Sequence, residues 1–305
     1  MVVRGPVVAQ GDIGTVSEGP FHRLPDVKDY FARRAARLRR LAPDSPIDDF
    51  LGFVADLADA QHGVAQAMAP PRPPAAAHLN LALEHGMPIF GRGDWRREPV
   101  WLQGLDAILD HMANKAAPDP ARQAIGALRA LPVSDREAAA DGLLAGRADS
   151  LPIGQVPLVA AALQVYWAHL AQSLAGVPLT ALDPAWLCPV CGSPPLVSRL
   201  DAPGLAPRLR YLHCALCACD WRYVRASCAC CGSEKEVAYH SIEGVGGPAR
   251  AETCDKCKGY VKILSCDADN FVDPMADDLA SAGLDLMIEE AGWHRNAPNP
   301  FLLAG

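Results

Sequence analysis

Apolar and polar positions alternate in two distinct ways along this chain, and the change comes near residue 183. Over residues 26–41 the side chains Val27, Tyr30, Phe31, Leu38 and Leu41 return at helical intervals, with Asp26 placed to cap the start and Pro43 to stop the run. The other face of that predicted helix carries Arg33, Arg34, Arg37, Arg39 and Arg40, read here as a solvated basic face. A second stripe, Ile47, Phe50, Leu51, Val54, Leu57, Ala58, Val64, Ala65 and Met68, predicts a longer amphipathic helix that packs on the first, with Asp48, Asp49, Asp56 and Asp59 off the stripe. Pro70-Pro71-Arg72-Pro73-Pro74 cannot continue a helix, because proline removes a donor and clashes with the preceding turn, so it is a rigid connector. Helical patterns follow over residues 100–112, 120–131 and 134–144, and then an apolar, buried helix over 157–175. Residues 1–182 therefore read as one all-helical domain.

Beyond residue 183 the period shortens. Residues 195–200, 208–212 and 221–225 read as three short strands, and 236–242, 248–253 and 259–264 repeat the series. Interleaved with them are four Cys-x-x-Cys pairs: Cys188 with Cys191, Cys214 with Cys217, Cys228 with Cys231, and Cys254 with Cys257. Twenty-two residues separate the inner cysteines of each half, and the whole unit recurs at a period of 40, carrying Gly192 to Gly232, Ser193 to Ser233 and Arg210 to Arg250. Duplication explains this spacing. A two-residue gap turns both sulfurs of a pair toward one ion, and the second pair completes a tetrahedron of four. Gly192 and Gly232 fall where a residue lacking Cβ can take positive φ and leave backbone N–H groups near sulfur, the knuckle of rubredoxins and zinc ribbons. Each unit is too small to bury a core of its own, so metal should supply folding energy on the order of 10 kcal/mol.

All 11 cysteines lie between Cys188 and Cys266, and Cys219, Cys230 and Cys266 fall outside the fourfold pattern and read as small buried or exposed thiols. Cys230 could in principle replace Cys231, but Cys231 alone keeps the 40-residue period and the following glycine. His213 and His240 are read as neighbours of sulfur or as surface groups, because four sulfurs already fill each tetrahedron. The stretch Gly244-Val245-Gly246-Gly247 reads as a hairpin loop.

Composition narrows the function. The 305 residues exceed what one ordinary core needs, and half are apolar, which excludes a largely disordered chain. Residues 1–14 lack the apolar run of a signal peptide, and the tract 156–174 is broken by Gln164, His169, Gln172 and Ser173, so neither a leader nor a transmembrane segment is expected. An intracellular, reducing setting favours metal thiolates over disulfides. There is no phosphate loop, zinc-protease helix or nucleophile elbow, and His62, His78, His85, His111 and His169 show no ligand spacing, so no catalytic residue is assigned. The net charge is −7, and the cysteine region carries 10 basic and seven acidic side chains before eight thiolates are counted, which disfavours nucleic acid as partner. Spacing leaves iron and zinc both open, since each accepts four thiolates.

The stretches Cys188-Pro-Val-Cys-Gly-Ser, Arg210-Tyr-Leu-His-Cys-Ala-Leu-Cys, Trp221 and Cys254-Asp-Lys-Cys resemble the formate dehydrogenase accessory protein family FdhE. Asp277-Asp-Leu-Ala, Leu284-Asp, the terminal Asn299-Pro-Phe and the helix from Arg33-Arg to Leu41 resemble that family's other segments. The resemblance implies a cytoplasmic maturation factor, not itself an enzyme, that binds the catalytic subunit of respiratory formate dehydrogenase. It also implies iron held by Cys188, Cys191, Cys214 and Cys217 in one site and by Cys228, Cys231, Cys254 and Cys257 in the other. A zinc-ribbon nucleic-acid-binding protein and an electron-transfer protein are the alternatives. The expected fold is α+β: a helical domain (1–182), two tandem rubredoxin-like or zinc-ribbon β units (183–226 and 227–266), and a C-terminal helix and tail (267–305).

Overall fold

The computed structural model describes residues 19–302 apart from 44, 116–118, 202–208, 243–245, 268 and 270. Residues 1–14, and Gly244 and Val245 of the predicted hairpin loop, lie outside the described residues.

The helical body contains α1 (Tyr30–Leu41), α2 (Asp48–Ala67), α3 (Ala76–Glu84), α4 (Val100–Ala113), α5 (Asp119–Ala130), α6 (Val133–Leu144) and α7 (Val156–Gln172). The capping carboxylate of Asp26 accepts from the Lys28 N–H at 3.1 Å, in the turn that leads into α1 rather than in the helix itself. Helix α7 has no polar face because it needs none: every residue from Leu158 to Ala171 is buried among α2, α4 and α6. Helix α3 has no counterpart in the sequence reading. Only Ala82 of its nine residues is buried, with Leu79 and Leu83 partly buried against the core, so its apolar stripe is short.

The basic face of α1 is divided, which corrects its reading as solvated. Arg39 does lie outside, paired with Asp56 and Asp59 of α2. Arg34 and Arg37 are buried, at 1 % and 5 % exposure. Arg34 donates to Gln164 Oε1 at 3.0 Å, and Arg37 grips Asp277 through Nε and Nη2 at 2.9 and 2.5 Å. The carboxylate that permits burial of Arg37 lies 240 positions along the chain, beyond the reach of any local pattern.

The second half is one sheet. Its strands are β1 (His22–Arg23), β2 (Val197–Leu200), β3 (Arg210–His213), β4 (Asp220–Arg222), β5 (Val237–His240), β6 (Ala249–Cys254), β7 (Gly259–Ser265) and β8 (His294–Arg295). They run in the order β1-β4-β3-β2-β7-β6-β5, with β8 beside β7. Two separate ribbon sheets were expected. Instead the ribbons fuse, because β2 of the first unit pairs in parallel with β7 of the second, Val197 opposite Lys262 through Leu200 opposite Ser265. Strand β1, from the N-terminal region, extends the sheet at β4 and is an exception to the all-helical first domain.

Two closing helices, α8 (Pro274–Ala280) and α9 (Ala282–Glu290), stand where one was expected. Asp273 caps α8, accepting from the N–H groups of Met275 and Ala276. Ser281 ends it by donating its hydroxyl to the Asp277 carbonyl at 2.7 Å. The acidic residues of this segment bolt the molecule together. Asp277 takes Arg37 of α1, whereas Asp278 takes Lys262 of β7, Arg295 of β8 and Asn299 of the tail. Asp285 takes Lys262, Arg295 and the Tyr260 hydroxyl. Burial would raise the Asp278 carboxyl, but the two cations beside it hold it below its ordinary value, so it is a carboxylate in the folded chain.

Candidate metal centres

Each Cys-x-x-Cys pair sits on a turn, the first between α7 and β2 and the other three between strands, and the two units build their turns alike. In the first, the Cys188 N–H donates to the Ser193 carbonyl at 3.0 Å and the Gly192 N–H to the Cys188 carbonyl at 2.8 Å. In the second, Cys228 N–H to Ser233 and Gly232 N–H to Cys228 span 2.8 and 2.9 Å. Both glycines take φ of +71°, as the knuckle reading requires. A Cβ at Gly232 would also stand 2.8 Å from the Trp186 ring. The second pair of each unit repeats the positive φ without glycine: Ala218 at +59° and Lys258 at +55° are one 40-residue period apart. No composition signal marks those two positions; only the period itself could have linked them.

These turns bring the sulfurs together. Cys188, Cys191, Cys214 and Cys217 form one group and Cys228, Cys231, Cys254 and Cys257 the other, with all sulfurs of a group within 4.8 Å of one another. In the first, Cys188 to Cys217 is 3.5 Å and Cys191 to Cys214 is 3.4 Å. In the second, Cys228 to Cys257 is 3.9 Å and Cys231 to Cys254 is 3.8 Å. Metal–sulfur bonds of about 2.3 Å in a tetrahedron put sulfurs about 3.8 Å apart, so both groups are of the right size for one ion. All 11 cysteines are free, so the pairs are not disulfides.

The electrostatics point the same way. Burial pushes the Cys188, Cys191 and Cys217 thiols well up. Burial would raise Cys214 too, but hydrogen bonds from those three neighbours hold it well below its ordinary value. Burial disfavours ionised sulfur here, so four thiolates gathered at one point require a bound cation. Backbone donors reach sulfur as well: Cys217 N–H to Cys214 at 3.5 Å, Cys230 N–H to Cys228 at 3.3 Å and Gly259 N–H to Cys257 at 3.4 Å.

The units differ in cover. The four sulfurs of the first are wholly buried, because the segment after α3 lies over the knuckle. Phe90 N–H donates to the Val190 carbonyl at 2.7 Å and Arg92 N–H to the Cys191 carbonyl at 3.0 Å. In the second unit Cys231 and Cys257 remain half-buried.

The remaining thiols and histidines surround these groups. Cys219 is buried, and its thiol donates to the Asp220 carbonyl at 3.5 Å. Cys230 is half-buried against Gly259, and Cys266 lies 3.9 Å from an Arg199 nitrogen. His213 is buried and held by Asp220 at 2.6 Å and the Tyr30 hydroxyl at 3.2 Å, tying the strand before Cys214 to α1. Burial would raise the Asp220 carboxyl, but Arg199 and His213 bring it below its ordinary value. His240 bonds the Thr253 hydroxyl at 2.9 Å.

A helical body bearing a fused pair of tetracysteine ribbons, clamped by a C-terminal acidic segment, defines a class of proteins with two tetrathiolate-type sites and no other cysteine or histidine cluster of ligand spacing among the described residues. Family models described as "FdhE, N-terminal", "FdhE, central domain" and "FdhE, C-terminal domain" match residues 19–182, 187–225 and 226–302. The chain belongs to the FdhE family. It is 40 % identical to the FdhE homolog of Pseudomonas aeruginosa over 98 % of both chains, and 38 % identical to that of Stutzerimonas stutzeri over 99 % of this chain and 98 % of the relative. The crystal structure of the FdhE protein from Pseudomonas aeruginosa superposes with a TM-score of 0.85 at 38 % identity, covering 94 % of this chain and all of that one.

Proposed function

We propose that this protein is a cytoplasmic accessory factor for the maturation of respiratory formate dehydrogenase, that it binds the catalytic subunit, and that its eight paired cysteines hold two iron ions. What supports this is the conjunction of FdhE membership with two sulfur groups at metal–thiolate spacing. Four sulfurs close each tetrahedron and leave no position for a substrate, which favours a scaffold over a dehydrogenase. Iron bound there would supply a one-electron couple. The chain's own contribution is to hold the sulfurs at fixed spacing, direct backbone N–H groups at them and present the surrounding surface to a partner. Zinc satisfies the same donor set and remains the alternative metal. No helix among the described residues is long and apolar enough to cross a membrane.

The test is complementation in an anaerobically grown host that lacks its own FdhE. The expected result is restored formate dehydrogenase activity, with the catalytic subunit recovered on the tagged chain and iron at two per chain. Absence of both restoration and recovery overturns the reading. Reversible one-electron bleaching of the ferric-thiolate absorbance supports a redox role, whereas full complementation by zinc-loaded chain assigns the metals a structural one.

A further inference from the structure

Strand alternation gives the fused sheet two unlike faces. Tyr260 and Lys262 point to α9 and α8, since Tyr260 bonds Asp285 and Lys262 bonds the Asp278 carbonyl. Ile263, one residue on, therefore points the other way, together with its register partners Ser198 and Arg250. By the same register Leu200 with Arg210, and Tyr239 with Glu252, share that outer face. At the end of the strands away from the cysteines this face opens into a depression of about 230 Å³. Leu200 and Ile263 line it, and Arg225, Tyr239 and Arg250 stand around them.

The repeat shows what is unusual here. Arg210 of the first unit is buried and fully used: Nη2 donates to Glu252 at 2.9 Å, Nε to Ser198 at 2.8 Å, and Nη1 to the Ser227 carbonyl at 2.9 Å. Its mate one period on, Arg250, is exposed, and its side chain has no hydrogen bond or ion pair among the described residues. Tyr239, which lines the same depression, is exposed beside it at 53 %. Arginine and tyrosine around an apolar floor are the side chains that concentrate binding energy at protein interfaces. On a chain of net charge −7 this unpaired guanidinium also selects the sign of what it meets.

We infer that this outer sheet face docks an acidic surface segment of the formate dehydrogenase catalytic subunit, with Arg250 meeting a carboxylate and Tyr239 meeting apolar atoms beside it. The inference rests on the accessory reading above and assigns that reading its surface.

The test is binding of the full, metal-loaded chain to the purified catalytic subunit, with Arg250→Glu, Tyr239→Ala and, as a charge control from the turn after α6, Arg147→Glu. Metal content and the thermal unfolding midpoint verify that each variant is folded. Arg250→Glu is expected to weaken Kd by about tenfold or more and Tyr239→Ala by about fivefold, with a flatter salt dependence for the former, while Arg147→Glu binds like the parent. If the parent binds and both face variants bind equally well, the surface is wrong. If Arg147→Glu weakens binding as much as Arg250→Glu, attraction is general charge and the surface is again wrong. A parent chain that does not bind the subunit at all removes the accessory reading, and this surface with it.

Discussion

The two cysteine units share spacing, knuckle hydrogen bonds and glycine φ, yet one has four wholly buried sulfurs and the other has two half-exposed ones. Their local sequences cannot account for that difference. The segment after α3 roofs the first knuckle, whereas Trp186 leans on the second at Gly232 and leaves Cys231 and Cys257 in partial contact with solvent. The repeat thus builds the sulfur tetrahedron, and the surrounding body decides whether it is sealed. A sealed site suits a structural ion and an open one suits exchange or electron passage, so equal donor sets need not mean equal roles.

Breaking one ligand in each unit sharpens this contrast most. Cys188→Ala empties a site packed into the main core and is expected to cost on the order of 4 kcal/mol or more. Cys257→Ala empties the half-exposed site and should cost about half as much; urea unfolding of the two variants measures both. Equal losses would mean that cover does not separate the units.

The clamp between the sheet and the closing helices comes next. Lys262 is wholly buried between Asp278 and Asp285. Lys262→Ala leaves those carboxylates with less compensation and should destabilise by about 3–5 kcal/mol while both metals stay bound. A smaller effect follows for exchange: with a chelator in excess, half of the metal should leave at least about tenfold faster than the rest, and Cys257→Ala should abolish the fast phase.

The smallest effect is pH dependence within the helical body. His169 donates through Nε2 to the Ala65 carbonyl at 3.1 Å, and burial lowers its pKa from 6.5. The unfolded chain therefore takes the proton first. The stability His169 contributes is present above pH 6.5 and drains as pH falls through the folded value. His169→Gln should flatten that part of a plot of urea midpoint against pH.

What could be read from the sequence follows the range of the interaction. The sulfur groups were legible because their ligands are close in sequence and duplicated, and the six ribbon strands appear within a few residues of their expected positions. Helix α7 was legible as buried because apolar residues occur on every side of it, with only Gln164, His169 and Gln172 interrupting them. The fusion of the ribbons was hidden because pairing of Val197 with Lys262 depends on no local period. Burial of Arg34 and Arg37 was hidden for the same reason, since Gln164, Asp269 and Asp277, their partners, come from distant segments. Each of these two hidden features is a contact by which separate parts of the chain hold one another.

The most direct test of the two-site account is metal per chain after oxygen-free purification of the parent, Cys188→Ala, Cys257→Ala and the double variant. The account predicts two, one, one and none. A parent that is folded yet carries no transition metal, or single variants that keep two, would contradict it.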